Sequence, residues 1–310
     1  MQRLIHLLFL LALPIIVAMF GFSVLTAVLL VVAMLLWRLA ITVIGLMFPP
    51  KGPELVLETI SASHFVEKVR WCMDRLGVEY AERHVGGVLG VFFRGRTVPL
   101  LKVRTGLVIS SLGESPAILR YLWGRYATPL GAQAKFLEPT AERLEMEQRI
   151  DDYGRQLQVW VYYHILPHRQ LTLHAWGRNS TRIPLYQRWL LVVLHPVLAA
   201  FLRRAFRLSE SRYTRAKAKI EALLADIERR LEGGQTTVLG GGEIDYVDIS
   251  FAAMTGLWLQ PKAYGGGASD EVMLARDQLP PGMRADVERW IASFPKTERF
   301  VQRLYAEERK

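Results

Sequence analysis

The hydrophobic pattern of the chain changes character once, near residue 50. From Leu4 to Trp37 there is no Asp, Glu, Lys or Arg, and after Arg38 the apolar run resumes from Ile41 to Phe48. As one straight helix the stretch Leu4 to Trp37 would be about 51 Å long, against a hydrocarbon core of about 30 Å. A hairpin fits that length, with one arm from Leu4 to Phe20, a turn at Gly21-Phe22-Ser23 and a second arm from Leu25 to Phe48 that holds Arg38 near the interface. One tilted span is the alternative. A cleaved signal peptide fits less well, because its apolar region would run to only about 7 to 15 residues. Pro49-Pro50-Lys51-Gly52-Pro53 then ends the helix and forms a short, stiff linker.

Beyond residue 54 the pattern is that of a globular protein. Glu54 to Ile60 alternates apolar with polar, as a strand does, and Phe65, Val69, Cys72, Met73 and Leu76 recur at helical spacing until Gly77 stops them. Val78 to Val85 reads as a second strand, Gly86 to Gly95 as a Gly-rich loop, and Thr97 to Leu101 and Leu107 to Ile109 as two further strands. Glu114 to Tyr126 closes the unit as a helix with Pro116 in its first turn, giving the order β-α-β-β-β-α. After Pro129 helical periodicity takes over, at residues 140–166, 185–207, 211–232, 245–259 and 283–306. Asp245, with Asp248 three residues on, reads as the cap of the fourth of these helices. The expected architecture is a membrane anchor of one or two transmembrane helices at 1–50, an α/β domain at 54–128 and an all-α helical-bundle domain at 135–310.

Charge adds an orientation to this picture. The 310 residues carry 39 Lys plus Arg against 29 Asp plus Glu, and only Arg3 and Arg38 of these fall in the first fifty residues. A hairpin with Arg3, Arg38 and Lys51 on one side returns both ends to the cytoplasm, and a single span has more basic residues after it than before it. Both readings put the body on the cytoplasmic side of a membrane. A hydrophobic content of 51% excludes a disordered polyelectrolyte, and the single cysteine, Cys72, excludes an internal disulfide or a Cys-rich metal site. Cys72 lies on the apolar face of its helix and reads as core.

Several tempting features carry little chemistry. The seven histidines are scattered and no metal site is expected. Gly240-Gly241-Gly242 lacks the Lys-Ser/Thr of a phosphate loop and reads as a turn. No basic-aromatic recognition module accompanies the positive charge, so nucleic acid is not an expected partner. Trp189 to Leu202 is an apolar run too short to span a bilayer, and the basic residues behind it, from Arg203 to Lys219, read as a solvated helix or as a contact for anionic lipid head groups.

Four fragments in order carry a resemblance: Ser63-His64-Phe65-Val66-Glu67-Lys68-Val69-Arg70, Thr97-Val98-Pro99-Leu100, Glu114-Ser115-Pro116-Ala117-Ile118 and the capped helix Asp245 to Ala253. Together they resemble the soluble glutathione transferases over roughly residues 54 to 306. The resemblance implies a thioredoxin-like N-terminal domain that holds glutathione as co-substrate and a helical C-terminal domain that helps form the second substrate's pocket. Ser63 stands where the family places the Ser, Tyr or Cys that serves the thiol; a hydroxyl donor at a helix N-terminus favours the thiolate, which is the nucleophile. Ser61 is the alternative, and an ordinary N-cap is the plainer reading of either. Serine rather than cysteine argues for conjugation, addition or isomerisation over mixed-disulfide chemistry.

The resemblance further implies a cis Val98-Pro99 bond whose backbone pairs with glutathione as an added strand, against the plain alternative of a proline at a strand start. Glu114 and Ser115 would hold the γ-glutamyl ammonium and carboxylate, unless they only cap their helix. Tyr153, Trp160 and Tyr163 would border the acceptor-substrate pocket, unless they are core. The expected function is a membrane-anchored glutathione transferase acting on apolar electrophiles. A glutathione-dependent isomerase or ether-cleaving enzyme and a non-catalytic, metaxin-like member of the fold are the alternatives. The expected partners are glutathione, an apolar electrophile, the lipid bilayer and a second copy of the chain.

Overall fold

The computed structural model describes residues 23–47, 54–95, 98–105 and 108–309. The first hairpin arm, the Gly21-Phe22 part of its turn, the Pro-rich linker, Thr97 and Leu107 lie outside the described residues. The chain divides into two compact units, Met1–Pro53 with Arg104–Ile109 and Glu54–Val103 with Ser110–Lys310.

The first unit contributes helix α1, Val24–Met47, whose 24 residues correspond to about 36 Å of rise. Ser23 starts it, its hydroxyl accepting from the amide of Thr26 at 3.3 Å. Leu25, Leu29, Leu36 and Trp37 of this helix are 59% to 70% exposed.

In the second unit β1 (Leu55–Thr59) leads into α2 (His64–Leu76), which Gly77 terminates at φ 66°, donating its amide to the carbonyls of Asp74 and Met73. β2 (Ala81–His84) follows, then α3 (Leu89–Arg94), β3 (Leu100–Thr105) and β4 (Val108–Gly113), of which Arg104, Thr105, Val108 and Ile109 fall in the first unit, and α4 (Ser115–Leu130). The sheet order is β2-β1-β3-β4, with β2 parallel and β3 antiparallel to β1. The expected strands and helices of this part are present, with boundaries shifted by a few residues. One element was not expected: the Gly-rich stretch Gly86 to Gly95 contains α3. Val88 and Leu89 bury there beside Trp176 and Leu191, which gives a short apolar face enough to fold against. At Gly87, φ 42°, a Cβ would lie 2.7 Å from the Trp176 side chain, so the chain can enter α3 only through glycine.

The helical part consists of α5 (Ala141–Ile165), α6 (Arg169–Ala175), α7 (Leu185–Ala205), α8 (Glu210–Glu232), α9 (Tyr246–Leu259), α10 (Pro281–Ser293) and α11 (Pro295–Glu307). The stretch expected as one helix over 283–306 is two, because Phe294 precedes Pro295 and adopts φ −130°, ψ 59°, outside the helical region. Asp245 accepts from the amides of Val247 and Asp248 while Asp248 accepts from the Asp245 amide, a capping box as the sequence indicates. α9 is buried nearly all round. On α5, Met146, Ile150, Tyr153, Leu157 and Trp160 turn inward at helical spacing toward α8 and α9. One continuous core includes Leu55 and Leu57 of the sheet together with Trp258 and Trp290 of the helices.

Candidate functional site

Strand register brings the expected site residues to one end of the sheet. Glu58 pairs with Leu100, so the segment Val98-Pro99 that precedes Leu100 lies beside the end of β1, where Ser61 and Ser63 follow. The Val98-Pro99 peptide is cis. β4 lies beside β3 in the sheet. A Cβ on Gly113, at the end of β4, would lie 4.0 Å from Leu100 Cδ1, and Glu114 and Ser115 come next in the chain.

The turn from β1 into α2 is held at every position but one. Ser61 is buried, its hydroxyl 3.1 Å from His84 Nδ1, and Thr59 Oγ1 is 3.3 Å from the same nitrogen. Whichever atom carries the proton, the Ser61 hydroxyl already has a partner inside the fold. The Ala62 carbonyl accepts from the Tyr264 hydroxyl at 3.2 Å, and the Ser63 amide donates to the Ile60 carbonyl at 2.9 Å. Burial keeps Tyr264 well above its ordinary pKa, so it remains a neutral donor. Ser63 occupies the N-cap position of α2 in extended conformation, φ −74° and ψ 120°, yet its hydroxyl makes no cap hydrogen bond. An ordinary N-cap would accept from the second or third amide of the helix. The half-buried Ser63 hydroxyl is therefore available to another group, which favours it over Ser61.

The first turn of α2 is seated on the middle of α5. His64 is fully buried, and its Nε2 donates to the Gly154 carbonyl at 3.0 Å. Burial lowers the imidazole from 6.5 to about 4, outweighing that hydrogen bond, so His64 is neutral at physiological pH. A Cβ at Gly154 would lie 2.7 Å from Met254 Sδ and 2.9 Å from the Phe65 ring, so the approach of the two helices depends on this glycine. One helical turn further, Lys68 is completely buried between Glu147 at 2.8 Å and Asp151 at 2.9 Å of α5. Arg120 of α4 reaches Glu147 from the other side at 3.0 Å. The helix that carries Ser63 is thus fixed by a hydrogen bond, a close contact and a buried ion cluster.

Glu114 is exposed and sits at φ 66°, ψ 132°, a conformation that costs a non-glycine residue on the order of 1 to 3 kcal/mol. Ser115, the first residue of the 16-residue α4, is buried, and its hydroxyl oxygen has no hydrogen-bond partner. A buried hydroxyl without a partner costs about 1 to 3 kcal/mol. The pair combines an exposed carboxylate with an orphaned donor and the free amides of a helix start, the chemistry needed to hold an α-amino acid zwitterion.

Two of the three aromatic residues expected at an acceptor pocket point elsewhere. Tyr153 is 2% exposed, with its hydroxyl bonded to Thr255 at 3.2 Å and to Trp258 Nε1 at 2.9 Å. Trp160 is wholly buried and donates to Asp286 at 3.0 Å. Both are core residues, as aromatics at helical spacing usually are. Tyr163 is half-buried, stacks on Tyr213 with ring centroids 4.3 Å apart, and donates to Glu210. Sequence reasoning missed His64, His84, Gly154 and Tyr264. For His64 a signal existed, a histidine directly after the key serine, but its buried partner Gly154 is 90 residues away. Cys72 is core, its thiol pushed up to about 12 by burial. Among the described residues no group of three or more His, Cys, Asp or Glu converges as a metal site would require.

No family model matches this chain, and no curated protein does. Solved structures do. A glutathione S-transferase from Methylobacillus flagellatus KT with GSH bound is 14% identical, with a TM-score of 0.50 over 81% of this chain and 94% of that one. A glutathione S-transferase from Methylobacterium radiotolerans JCM 2831, in complex with glutathione sulfonate, is 19% identical, with a TM-score of 0.49 over 82% of this chain and 91% of that one. The mixed sheet flanked by helices, followed by seven helices from α5 to α11, is accordingly the fold of the glutathione transferases.

Proposed function

We propose that this protein is a membrane-anchored glutathione transferase that activates the glutathione thiol for attack on apolar electrophiles. The observation that carries the reading is that two helix-start serines lie at one end of the sheet, the buried Ser115 with no hydrogen-bond partner and the half-buried Ser63 with no cap bond to its own helix. In this reading Ser115 and the first amides of α4 take the γ-glutamyl carboxylate, Glu114 takes the ammonium, and the backbone of Val98 pairs with the peptide. The Ser63 hydroxyl and the N-terminal end of α2 hold the sulfur as thiolate. With a chloro-dinitro aromatic as electrophile, the thiolate forms the new C–S bond and chloride leaves with the electron pair. The exposed apolar surface of α1 supports an anchor, and the excess of basic residues after it supports a cytoplasmic body.

The test is titration of the full-length protein, in detergent, with glutathione, followed by the conjugation assay. Binding with turnover is the expected result. Binding without turnover on any electrophile would favour an isomerase or ether-cleaving activity of the same site. No binding would favour the non-catalytic reading.

A further inference from the structure

Helix α7 is apolar on two opposite sides, and only one of them is covered. Leu191, His195, Leu198 and Leu202 bury toward Leu89, Leu166, Leu173 and Trp176. At about 100° per residue the other side carries Leu185, Trp189, Val193, Val197 and Phe201, which are 76%, 65%, 50%, 51% and 36% exposed. The stripe continues onto α3: the Phe92 ring lies 5.6 Å from Phe201 and 5.2 Å from Phe93, and Phe93 is 61% exposed. α7 has 21 residues and by length and composition is apolar enough to cross a bilayer. Its docked face rules out spanning. Pro196 inside the helix leaves the Val192 carbonyl without its helical donor, and Arg169 Nη2 replaces that donor at 3.3 Å, which ties the helix further to the body.

The stretch of chain that carries this face has charge of one sign, bounded by Asp152 before it and Glu210 after it. From Tyr153 to Ser209 the chain contains eight arginines and no acidic residue. Three of them, the exposed Arg203, Arg204 and Arg207, follow directly at the C-terminal end of the apolar stripe. Arg207, Arg212, Arg215 and Lys219 then line a groove between α7 and α8. Tyr186 and Trp189 add the aromatic residues that favour the level of the head groups. A helix fixed by one face, apolar on the opposite face and followed by arginine at its C-terminal end has the composition of an interfacial helix that lies in the plane of an anionic membrane.

We infer that the α7 face, with Phe93, docks the globular body onto anionic phospholipid, burying the stripe at the acyl boundary while Arg203, Arg204 and Arg207 meet the phosphates. This contact is separate from the α1 anchor and lies on the body itself. An apolar electrophile dissolved in the bilayer would then meet the enzyme without crossing water, a consequence that rests on the proposed transferase activity.

The test uses full-length protein with Val193→Cys carrying an environment-sensitive fluorophore; the only other thiol, Cys72, is wholly buried. In vesicles containing phosphatidylglycerol, lipid-borne shallow quenchers should reduce the emission by about half and neutral aqueous acrylamide should have little effect. With Arg203→Glu, Arg204→Glu and Arg207→Glu combined, or in purely phosphatidylcholine vesicles, this pattern should reverse. Acrylamide quenching in anionic vesicles equal to that in purely phosphatidylcholine vesicles would overturn the inference. So would shielding in the phosphatidylcholine vesicles, whether it grows with protein density, as for a second copy, or does not, as for another segment of the chain. Alkaline extraction of the same vesicles reports on the α1 anchor alone, so the two membrane contacts fail distinguishably.

Discussion

At the scale of single residues, the roles of the site divide between binding and chemistry. Glu114 is proposed to contact glutathione far from the sulfur, so its interaction is shared by ground state and transition state. Glu114→Gln should raise KM for glutathione by roughly 10- to 150-fold, the equivalent of a charge-assisted hydrogen bond of about 1.5 to 3 kcal/mol, with kcat nearly intact. Steady-state kinetics at varied glutathione checks this, and an unchanged KM would place the ammonium elsewhere. His64 gives the site a pH limit. Its folded-state value of about 4 lies below the unfolded 6.5, so the unfolded chain takes up the proton first. The stability it contributes is whole above about pH 6.5 and is lost as pH falls through 6.5 toward 4. At pH 4.5 the loss is about 2 to 3 kcal/mol. His64→Gln, which keeps a neutral donor for the Gly154 carbonyl, should show a flatter profile of thermal stability between pH 7 and 4.5 than the parent. Parallel profiles would mean that the imidazole is not the titrating group.

At the scale of elements, α2 is the piece that must not move, and two buried ion clusters hold it, Lys68 with Glu147 and Asp151 and Glu67 with Arg70 and Arg309. Removing one partner of a buried ion cluster leaves the others uncompensated. Lys68→Met should therefore cost about 3 to 5 kcal/mol in denaturant unfolding, far more than loss of an exposed pair such as Arg125 with Glu54. A cost below about 1 kcal/mol would mean that the Lys68 cluster does not hold the helix. The elements themselves were largely legible in the sequence, since spacing and Gly77 give α2, and Asp245 with Asp248 gives the start of α9. What was not legible depended on distance in the chain. The short α3 exists because Trp176 and Leu191 cover it, and the inward turn of Tyr153 is set by Thr255 and Trp258, about 100 residues away. Glycine content argued for a loop in the first case, and the resemblance argued for a pocket in the second. In the site, the resemblance puts Ser63 ahead of Ser61 by position alone; the physical reason, His84 occupying the Ser61 hydroxyl, is not in the local sequence.

At the scale of the whole molecule, the proposal joins an apolar helix, a glutathione transferase fold and a second apolar face on the body. If α1 anchors the chain, full-length protein should stay with membranes after alkaline carbonate extraction and leave them only with detergent. Recovery in the alkaline supernatant would remove the anchor from the account without touching the site. The site has its own direct measurement: the ultraviolet thiolate absorbance of glutathione bound to the full-length protein, followed from pH 5.5 to 9, for the parent and for Ser63→Ala. A free thiol titrates near about 8.5. The bound thiol of the parent should ionise below pH 7, and Ser63→Ala should move that midpoint up by a unit or more and slow conjugation by about 10- to 1,000-fold. A bound thiol that titrates like free glutathione, or an identical midpoint in both proteins, would contradict the assignment of Ser63 as the group that makes the nucleophile.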